Sequence, residues 1–229
     1  MRILLSAMLL LSSACSKDSS PSAPSGPVLG FFVTSQTSTT GNLGGLAAAD
    51  ATCQRLATAV GQGGRTWRAY LSVEREASSN NQPVNARDRI GAGPWYNANG
   101  ALIANSLTEL HARTGDAALF LDERGQRING QWTGSPTPNQ HDILTGSNAD
   151  GTLMQGFTCG DWTSSSDTTI GQVGHADGLG PVRVRPERCH RGIQRTPIRI
   201  APTPPRAVVA GGSIVLRGER IVALAGFLG

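Results

Sequence analysis

One stretch, Gly41 to Leu71, limits most strongly what this chain can fold into. Apolar residues recur in it at three- and four-residue spacing, which places them along one face of a helix. They are Leu46, Ala49, Cys53, Leu56 and Val60. The glycine-rich segment Gly61–Gly64 ends the helix, because glycine reaches left-handed backbone angles without a side-chain clash. The apolar face must therefore pack on a core.

An aromatic strand is predicted directly after this helix. Apolar residues alternate there with polar or amphipathic ones, and this period of two indicates a strand with one buried side. Trp67, Ala69 and Leu71 are predicted inside, and Arg68, Tyr70 and Ser72 outside. The simplest interpretation is a helix packed on a sheet.

Similar patterns predict the other elements of the folded part. These are a strand at Phe31–Val33 before the polar turn 35–41, a helical turn at Ala86–Ile90, a short helix carrying Ile103, Leu107 and Leu110, and paired strands at Leu119–Leu121 and Ile128–Trp132. The region 133–180 is rich in Gly, Ser, Thr, Asn and Asp, which predicts a long loop region. Trp67 and Trp162 are predicted to anchor the core.

The first 27 residues carry export and tether signals. In residues 1–15 an apolar run, Ile3–Leu11, follows Arg2 and precedes small residues. The run is far shorter than the roughly 20 residues that span a bilayer, so it predicts a secretory signal. The Ser/Pro-rich segment 16–27 has no periodicity and predicts a flexible tether.

Cys15, just past the apolar run, resembles the lipidated cysteine of bacterial lipoproteins. One departure is that Leu11 lies one place earlier than the usual leucine, with Ser12 in its position. A lipid on Cys15 would tether the chain to the bacterial envelope, and Ser16 favours the outer membrane by analogy. The alternative is ordinary secretion with cleavage nearby.

The positive charge of the chain belongs to its C-terminal part. Residues 181–229 contain nine arginines against Glu187 and Glu219, whereas residues 1–180 carry a slight excess of acidic side chains. A nucleic-acid partner is therefore not predicted for the folded part. The segment 181–229 is Arg/Pro-rich, and its last apolar piece, residues 213–228, predicts either a hairpin about Arg217–Glu219 or an apolar tail.

Five stretches in order resemble the endostatin-like domain, a variant of the C-type lectin fold that ends certain animal collagens and also occurs in bacterial secreted proteins and lipoproteins. They are residues 41–72, RIGAGPWYNANGALIANSLTELH, HDILTGSNADGT, TCGDWTSSS and GQVGHADGLG. The resemblance covers 28–180. It implies an α+β fold with two helices on a twisted, mostly antiparallel sheet and with long loops.

The resemblance also implies two nested disulfides. Cys159 matches one cysteine of the inner bond, and Cys189 stands in for its partner. Cys53 matches the outer bond, whose other cysteine would lie in a closing strand that is not found after Gly180. We therefore predict Cys53 to be buried and unpaired. The departure of 181–229 reflects either a reading-frame change near Gly180 or a divergent tail.

No motif of a known enzyme class is present, so we expect a protein that is not an enzyme and has no catalytic residues. The four histidines, His111, His141, His175 and His190, include no pair with the spacing of a helical zinc motif. The N-terminal histidines that bind zinc in animal endostatins are not matched. We therefore predict no metal site and no cofactor. Calcium is the one ion for which the sequence offers oxygen ligands.

Six residues are candidate ligand contacts: Trp95, Tyr96, His141, Asp142, Asn148 and Asp150. The Trp95-Tyr96 pair either stacks on a sugar ring or fills the core beneath the second helix. His141-Asp142 is interpreted as a surface pair, either structural or acting in acid–base chemistry. Asp142, Asn148 and Asp150 offer oxygen ligands for calcium, or alternatively form Asx turns in a glycine-rich loop.

The main functional hypothesis is a noncatalytic, monomeric binding module, held at the bacterial envelope only by a lipid or else secreted, whose loops recognise an extracellular glycan or protein. One alternative is a structural envelope protein with a degenerate C-terminus and no specific ligand. The other is an envelope hydrolase. The ligand itself is not predicted, because function lies in loops grafted on the scaffold.

Overall fold

The computed structural model describes residues 28–179, 186–190 and 221–227, so the predicted signal and tether, including Cys15, lie outside it. The helices are α1 (Gly45–Ala59) and α2 (Leu107–Ala112), with a four-residue helical turn at Cys159–Trp162 and 3₁₀ turns at Ala77–Ser79 and Ala86–Arg89. The strands are β1 (Phe31–Ser38), β2 (Trp67–Ala69), β3 (Val73–Glu76), β4 (Gln82–Val84), β5 (Trp95–Tyr96), β6 (Leu102–Ala104), β7 (Asp142–Leu144), β8 (Ile170–His175), β9 (Pro186–Arg188) and β10 (Ile221–Phe227).

The main sheet has the order β1-β10-β7-β8-β9, and β2 pairs with β10 beside this path. Every pairing in it is antiparallel except that of β10 with β7. Two small hairpins, β3-β4 and β5-β6, stand apart from it. This mixed architecture of few helices and mainly antiparallel strands agrees with the α+β class predicted from the sequence.

Helix α1 packs on the sheet through the predicted face. Leu46, Ala49, Cys53 and Leu56 are buried, while Val60 caps the C-terminus and is only partly buried. Ala57 is an additional buried member. The helix prediction is therefore confirmed, since its apolar period is strong and continuous over four turns.

Asp50 ties α1 to the elements beneath it. Its carboxylate accepts two hydrogen bonds from the Arg89 guanidinium, at 2.7 and 2.9 Å, and one from the Ala69 backbone N–H at 2.8 Å. Arg68 lies 3.2 Å away on the more exposed side. Because Arg89 is buried, the Asp50 carboxylate is needed to compensate its positive charge.

Burial of the β2 segment differs from the prediction. Trp67, Ala69 and Leu71 are buried as expected, but Tyr70 and Ser72 are buried too. The sheet strand ends at Ala69, so the following residues do not keep one face toward solvent. The prediction of a strand with one buried side is therefore wrong beyond Ala69.

Several other boundaries also needed correction. The first strand continues to Ser38 through the segment predicted as a turn, and Ile103 lies in β6, not in the second helix. Leu119–Leu121 form a turn with a single bridge to Arg127, not a strand. Strands β7 and β8 come from the region predicted as loop, because their apolar runs are too short to give a period.

Strands β9 and β10 lie beyond the boundary predicted at Gly180, while most of 181–229, including the predicted hairpin turn Arg217–Glu219, lies outside the described residues. Strand β9 pairs with β8, and β10 lies between β1 and β7, so both belong to the main sheet. For 221–227 this replaces the two alternatives of a local hairpin and a loose apolar tail. No local pattern predicts this position, because β10 pairs with strands far away along the chain.

Candidate functional site

A cavity of about 200 Å³ opens between β1, α2 and the β7-β8 pair, and we call it the Tyr70 cavity. Its walls are largely apolar, with Phe31, Val33, Phe120, Ile143 and Val173 among the lining residues. Polar side chains also reach it: Tyr70, His111, Arg113, Thr145, Ser147, Asn148 and His175. An apolar pocket with a few convergent polar groups is the usual form of a ligand site.

Tyr70 and His111 form one polar wall of the cavity. The Tyr70 hydroxyl lies 2.7 Å from Nε2 of His111. Burial raises the pKa of the Tyr70 phenol and lowers the pKa of the His111 imidazole, so both groups are neutral near pH 7. Gly151 packs on this pair at a φ of 80°, where a Cβ atom would lie 2.4 Å from His111 Nε2. The wall therefore depends on glycine at 151.

A cluster of two histidines and two aspartates lies at the end of the β7-β8 pair, and we call it the His–Asp cluster. In the antiparallel register Asp142 is directly opposite His175, which brings two side chains to one place from residues 33 positions apart. His141 precedes β7, and its carbonyl accepts a hydrogen bond from Ala176 N–H. Asp177 follows β8 in the next turn.

The distances within the cluster are short. His175 Nδ1 lies 3.1 Å from Asp142 Oδ1 and 3.4 Å from His141 Nε2. The other ring nitrogen of His141, Nδ1, lies 2.7 Å from Asp177 Oδ1. His141, Asp142 and Asp177 are buried, while the His175 side chain is 19% exposed and lines the Tyr70 cavity.

Asp177 is held by the backbone as well as by His141. Burial alone would raise the pKa of Asp177, but hydrogen bonds from His141 and from the N–H groups of Gln131 and Leu179 outweigh it and lower that pKa. Gly130 makes this possible, since a Cβ there would lie 2.2 Å from Asp177 Oδ2. Asp177 is therefore a carboxylate that accepts a hydrogen bond from the His141 ring and fixes the orientation of that ring.

The family comparison covers the same region. A family model described as a protein of unknown function (DUF1554) matches residues 36–178, more than half of the chain. The chain belongs to the DUF1554 family. No curated protein matches the sequence. All four residues of the His–Asp cluster lie within the DUF1554 match, whereas β9, β10 and Cys189 lie beyond it.

The DUF1554 region contains all six predicted contact residues, but the structure separates them. Trp95 is buried in a second core cluster, with its Nε1 donating to the Ile90 carbonyl at 3.2 Å, so it fills the core and does not face a ligand. Tyr96 is partly buried beside it. The alternative of a core role is therefore the correct one for Trp95.

His141-Asp142 is not the surface pair that was predicted. Both residues are buried, because they begin a strand that lies inside the sheet. Asn148 and Asp150 are exposed in the following loop. Asp150 Oδ1 accepts hydrogen bonds from the N–H and hydroxyl of Thr152, the pattern of an Asx turn. Asn148 lines the Tyr70 cavity, whereas Asp150 does not.

Four functional candidates were missed: Tyr70, His111, His175 and Asp177. His175 and Asp177 stand in the stretch GQVGHADGLG, which carried the family resemblance, but nothing local pairs them with His141. The only local signal is that His141-Asp142 begins an apolar run of strand length, and that the segment from His175 to Asp177 follows another such run. Strand register, which the sequence does not reveal, brings them together.

The three cysteines in the described part of this DUF1554 member belong to the main core cluster. Cys159 and Cys189 form the disulfide that the sequence analysis assigned to them. Cys53 is fully buried with a free thiol, and burial, reinforced by Asp50, raises its pKa far above the ordinary value. Among the residues described, no helix is long and apolar enough to cross a membrane.

We expect Cys53 to resist alkylation in the folded chain. Its thiol is inaccessible, and the raised pKa leaves almost none of the reactive thiolate at pH 8. Iodoacetamide treatment followed by peptide mass mapping checks this, with a sample in 6 M guanidinium as the positive control. Modification of Cys53 at equal rates in both samples would contradict the buried position.

Proposed function

We propose that this chain is an exported, noncatalytic binding module whose Tyr70 cavity takes part of an extracellular glycan or protein ligand. The observation that carries the proposal is the cavity itself, which is lined by aromatic and apolar residues and by a few polar groups. Its volume of about 200 Å³ is below the roughly 300–1,000 Å³ typical of pockets for drug-sized ligands. It therefore suits one sugar ring or one side chain of a larger ligand.

The composition of the cavity favours a ligand with both apolar and hydroxyl surfaces. Phe31 meets Tyr70 and Phe120 edge to face, with ring centroids 6.3 Å apart in both pairs, which makes a rigid aromatic wall. His111 and Asn148, which also line the cavity, supply hydrogen-bonding groups. Sugars present this combination of an apolar ring face and hydroxyl groups.

The scaffold proposed for this module is the C-type lectin-like, endostatin-like fold. Three observations support it: α1 lies on a mainly antiparallel sheet, long loops connect the strands, and Cys159 forms the inner disulfide. The resemblance of residues 41–72 adds to these. We further propose a monomer that reaches the bacterial envelope, at the outer membrane, through a lipid on Cys15, or is otherwise secreted.

A glycan and protein-ligand array with the full chain, with and without calcium, tests the proposal. The variant Ala149→Trp fills the cavity from an exposed lining position, so it is expected to weaken binding at least about 10-fold. Ala51→Trp is the matched control, since Ala51 is exposed on α1 and does not line the cavity.

Circular dichroism first establishes that both variants are folded. Clean absence of binding by the folded wild-type chain would remove the binding function and leave a structural envelope protein. Equal binding by both variants would place the ligand elsewhere on the surface. Turnover of an array component would instead favour the hydrolase alternative.

A further inference from the structure

We propose that His141, Asp142 and His175 form a binding site for a divalent transition-metal ion of the zinc type. These three residues offer two imidazole nitrogens and one carboxylate oxygen, and all three atoms lie within 4.8 Å of one another. This goes beyond the ligand functions predicted from the sequence, which considered only calcium on oxygen ligands and gave no role to either histidine as a metal ligand.

The spacing of the three atoms fits a tetrahedral ion. With bonds of about 2.0–2.1 Å, two ligand atoms of a tetrahedral zinc site lie roughly 3.3–3.4 Å apart. The observed separations are 3.1 Å for His175 Nδ1 to Asp142 Oδ1, 3.4 Å for His175 Nδ1 to His141 Nε2, and 3.8 Å for His141 Nε2 to Asp142 Oδ1. An ion between them requires shifts of a few tenths of an ångström.

The tautomer of His141 is already the one that a metal needs. Because Asp177 accepts a hydrogen bond from His141 Nδ1 at 2.7 Å, the lone pair of the ring lies on Nε2, which faces His175 and Asp142. Carboxylate partners of this kind orient metal-binding histidines in many sites. Asp177 is in turn fixed by the N–H groups of Gln131 and Leu179. It is thus a positioning residue, not a ligand.

The site has a route to solvent. His141 and Asp142 are almost fully enclosed, whereas His175 borders the Tyr70 cavity and is partly exposed. An ion can therefore enter from the cavity, and a fourth coordination position there is open to water or to a donor atom of a ligand. Three protein ligands with one open position are the pattern of a reactive or ligand-binding zinc site, not of a closed structural one.

The donor set selects the class of ion. Calcium takes six to eight oxygen ligands, whereas the three proposed ligands supply a single carboxylate and two imidazole nitrogens. Imidazole nitrogen suits zinc, copper, iron and nickel. The calcium considered for Asp142 from the sequence is therefore disfavoured at this position.

Titration of the metal-free full chain with Zn²⁺ by calorimetry tests the site. We expect one ion per chain and no binding of Ca²⁺. His175→Ala and Asp142→Asn should weaken Zn²⁺ binding at least about 100-fold, more than the roughly 10–100-fold expected when Asp177→Asn removes the outer partner. His190→Gln is the matched control, because His190 belongs neither to the cluster nor to the lining of the Tyr70 cavity, and it should bind Zn²⁺ as the wild type does.

The Co²⁺ form of the unmutated chain keeps the test decisive if a variant fails to fold. A four-coordinate ion on nitrogen and oxygen ligands gives strong visible absorption without a thiolate charge-transfer band. A thiolate band would place the ion on Cys15 or Cys53 and overturn the proposal. Absence of one-to-one Zn²⁺ binding by the wild type, or equal affinity in His175→Ala and His190→Gln, would also overturn it.

Discussion

Replacing Ala225 with proline is expected to abolish cooperative folding of the main sheet. Ala225 lies in β10 opposite Phe32 of β1 on one side and Ala69 of β2 on the other. Proline has no N–H for the ladder, and its ring clashes in a strand that has neighbours on both sides. Since β10 also joins β1 to β7, the damage is not confined to an edge. We expect a loss of about 3 kcal/mol or more in the free energy of unfolding.

Urea unfolding followed by tryptophan fluorescence measures this loss. Ala77→Pro is the matched control: Ala77 is exposed and is the first residue of a 3₁₀ turn, a position where proline is tolerated. Glu76 before it already has the extended conformation that precedes proline. An unchanged unfolding midpoint in Ala225→Pro would mean that β10 does not belong to the sheet.

Loss of the Cys159–Cys189 disulfide is expected to be the second large effect. The bond closes a loop with a sequence separation of 30, for which the chain-entropy estimate is roughly 3 to 4 kcal/mol. For a chain of this size, that lowers the melting temperature by roughly 6 to 16 °C. The double variant Cys159→Ala/Cys189→Ala avoids leaving an unpaired thiol at either position.

The position of this disulfide adds to its importance. Cys159, Asp161 and Trp162 all have positive φ, at 50°, 54° and 65°, which costs free energy in residues other than glycine. The bond, together with the hydrogen bond from Trp162 Nε1 to the Ser72 carbonyl at 2.9 Å, holds this turn in place. Without the bond, we expect the turn to relax and Trp162 to become more exposed to solvent.

Differential scanning calorimetry with and without dithiothreitol provides an internal control. The reductant should lower the melting temperature of the wild type to that of the double variant and should leave the double variant unchanged. A wild-type melting temperature that does not respond to complete reduction, verified by thiol titration, would show that the bond contributes little to stability.

Helix α1 shows what local pattern can establish. Its buried face, from Leu46 to Leu56, could be read from spacing, because the amphipathic period is set within one helix. The strand period predicts a buried Trp67, and Trp162 is predicted as an isolated aromatic anchor; both residues are buried. For the β2 segment, the buried side could be predicted but the burial of Tyr70 and Ser72 could not, because the residues that cover these two come from distant parts of the chain.

The candidate site was far less accessible to sequence reasoning. The sequence marks His141 and Asp142 as an adjacent pair, but it predicts this pair on the surface. Their partners His175 and Asp177 are reached only through the β7-β8 register. A shift of one residue in that register would turn His175 away from Asp142, and no property of either residue alone reveals the register.

By itself the sequence determined helix α1 and the mainly aromatic and apolar character of the core. It also determined which cysteines the folded part contains. These features depend on local period and residue type. The tertiary structure alone decided the central place of β10, the burial of His141 and Asp142 and the enclosure of the Tyr70 cavity. Each of these arises from contacts between residues far apart in the chain. Such contacts are selected by the packing of the whole domain, not by any single segment.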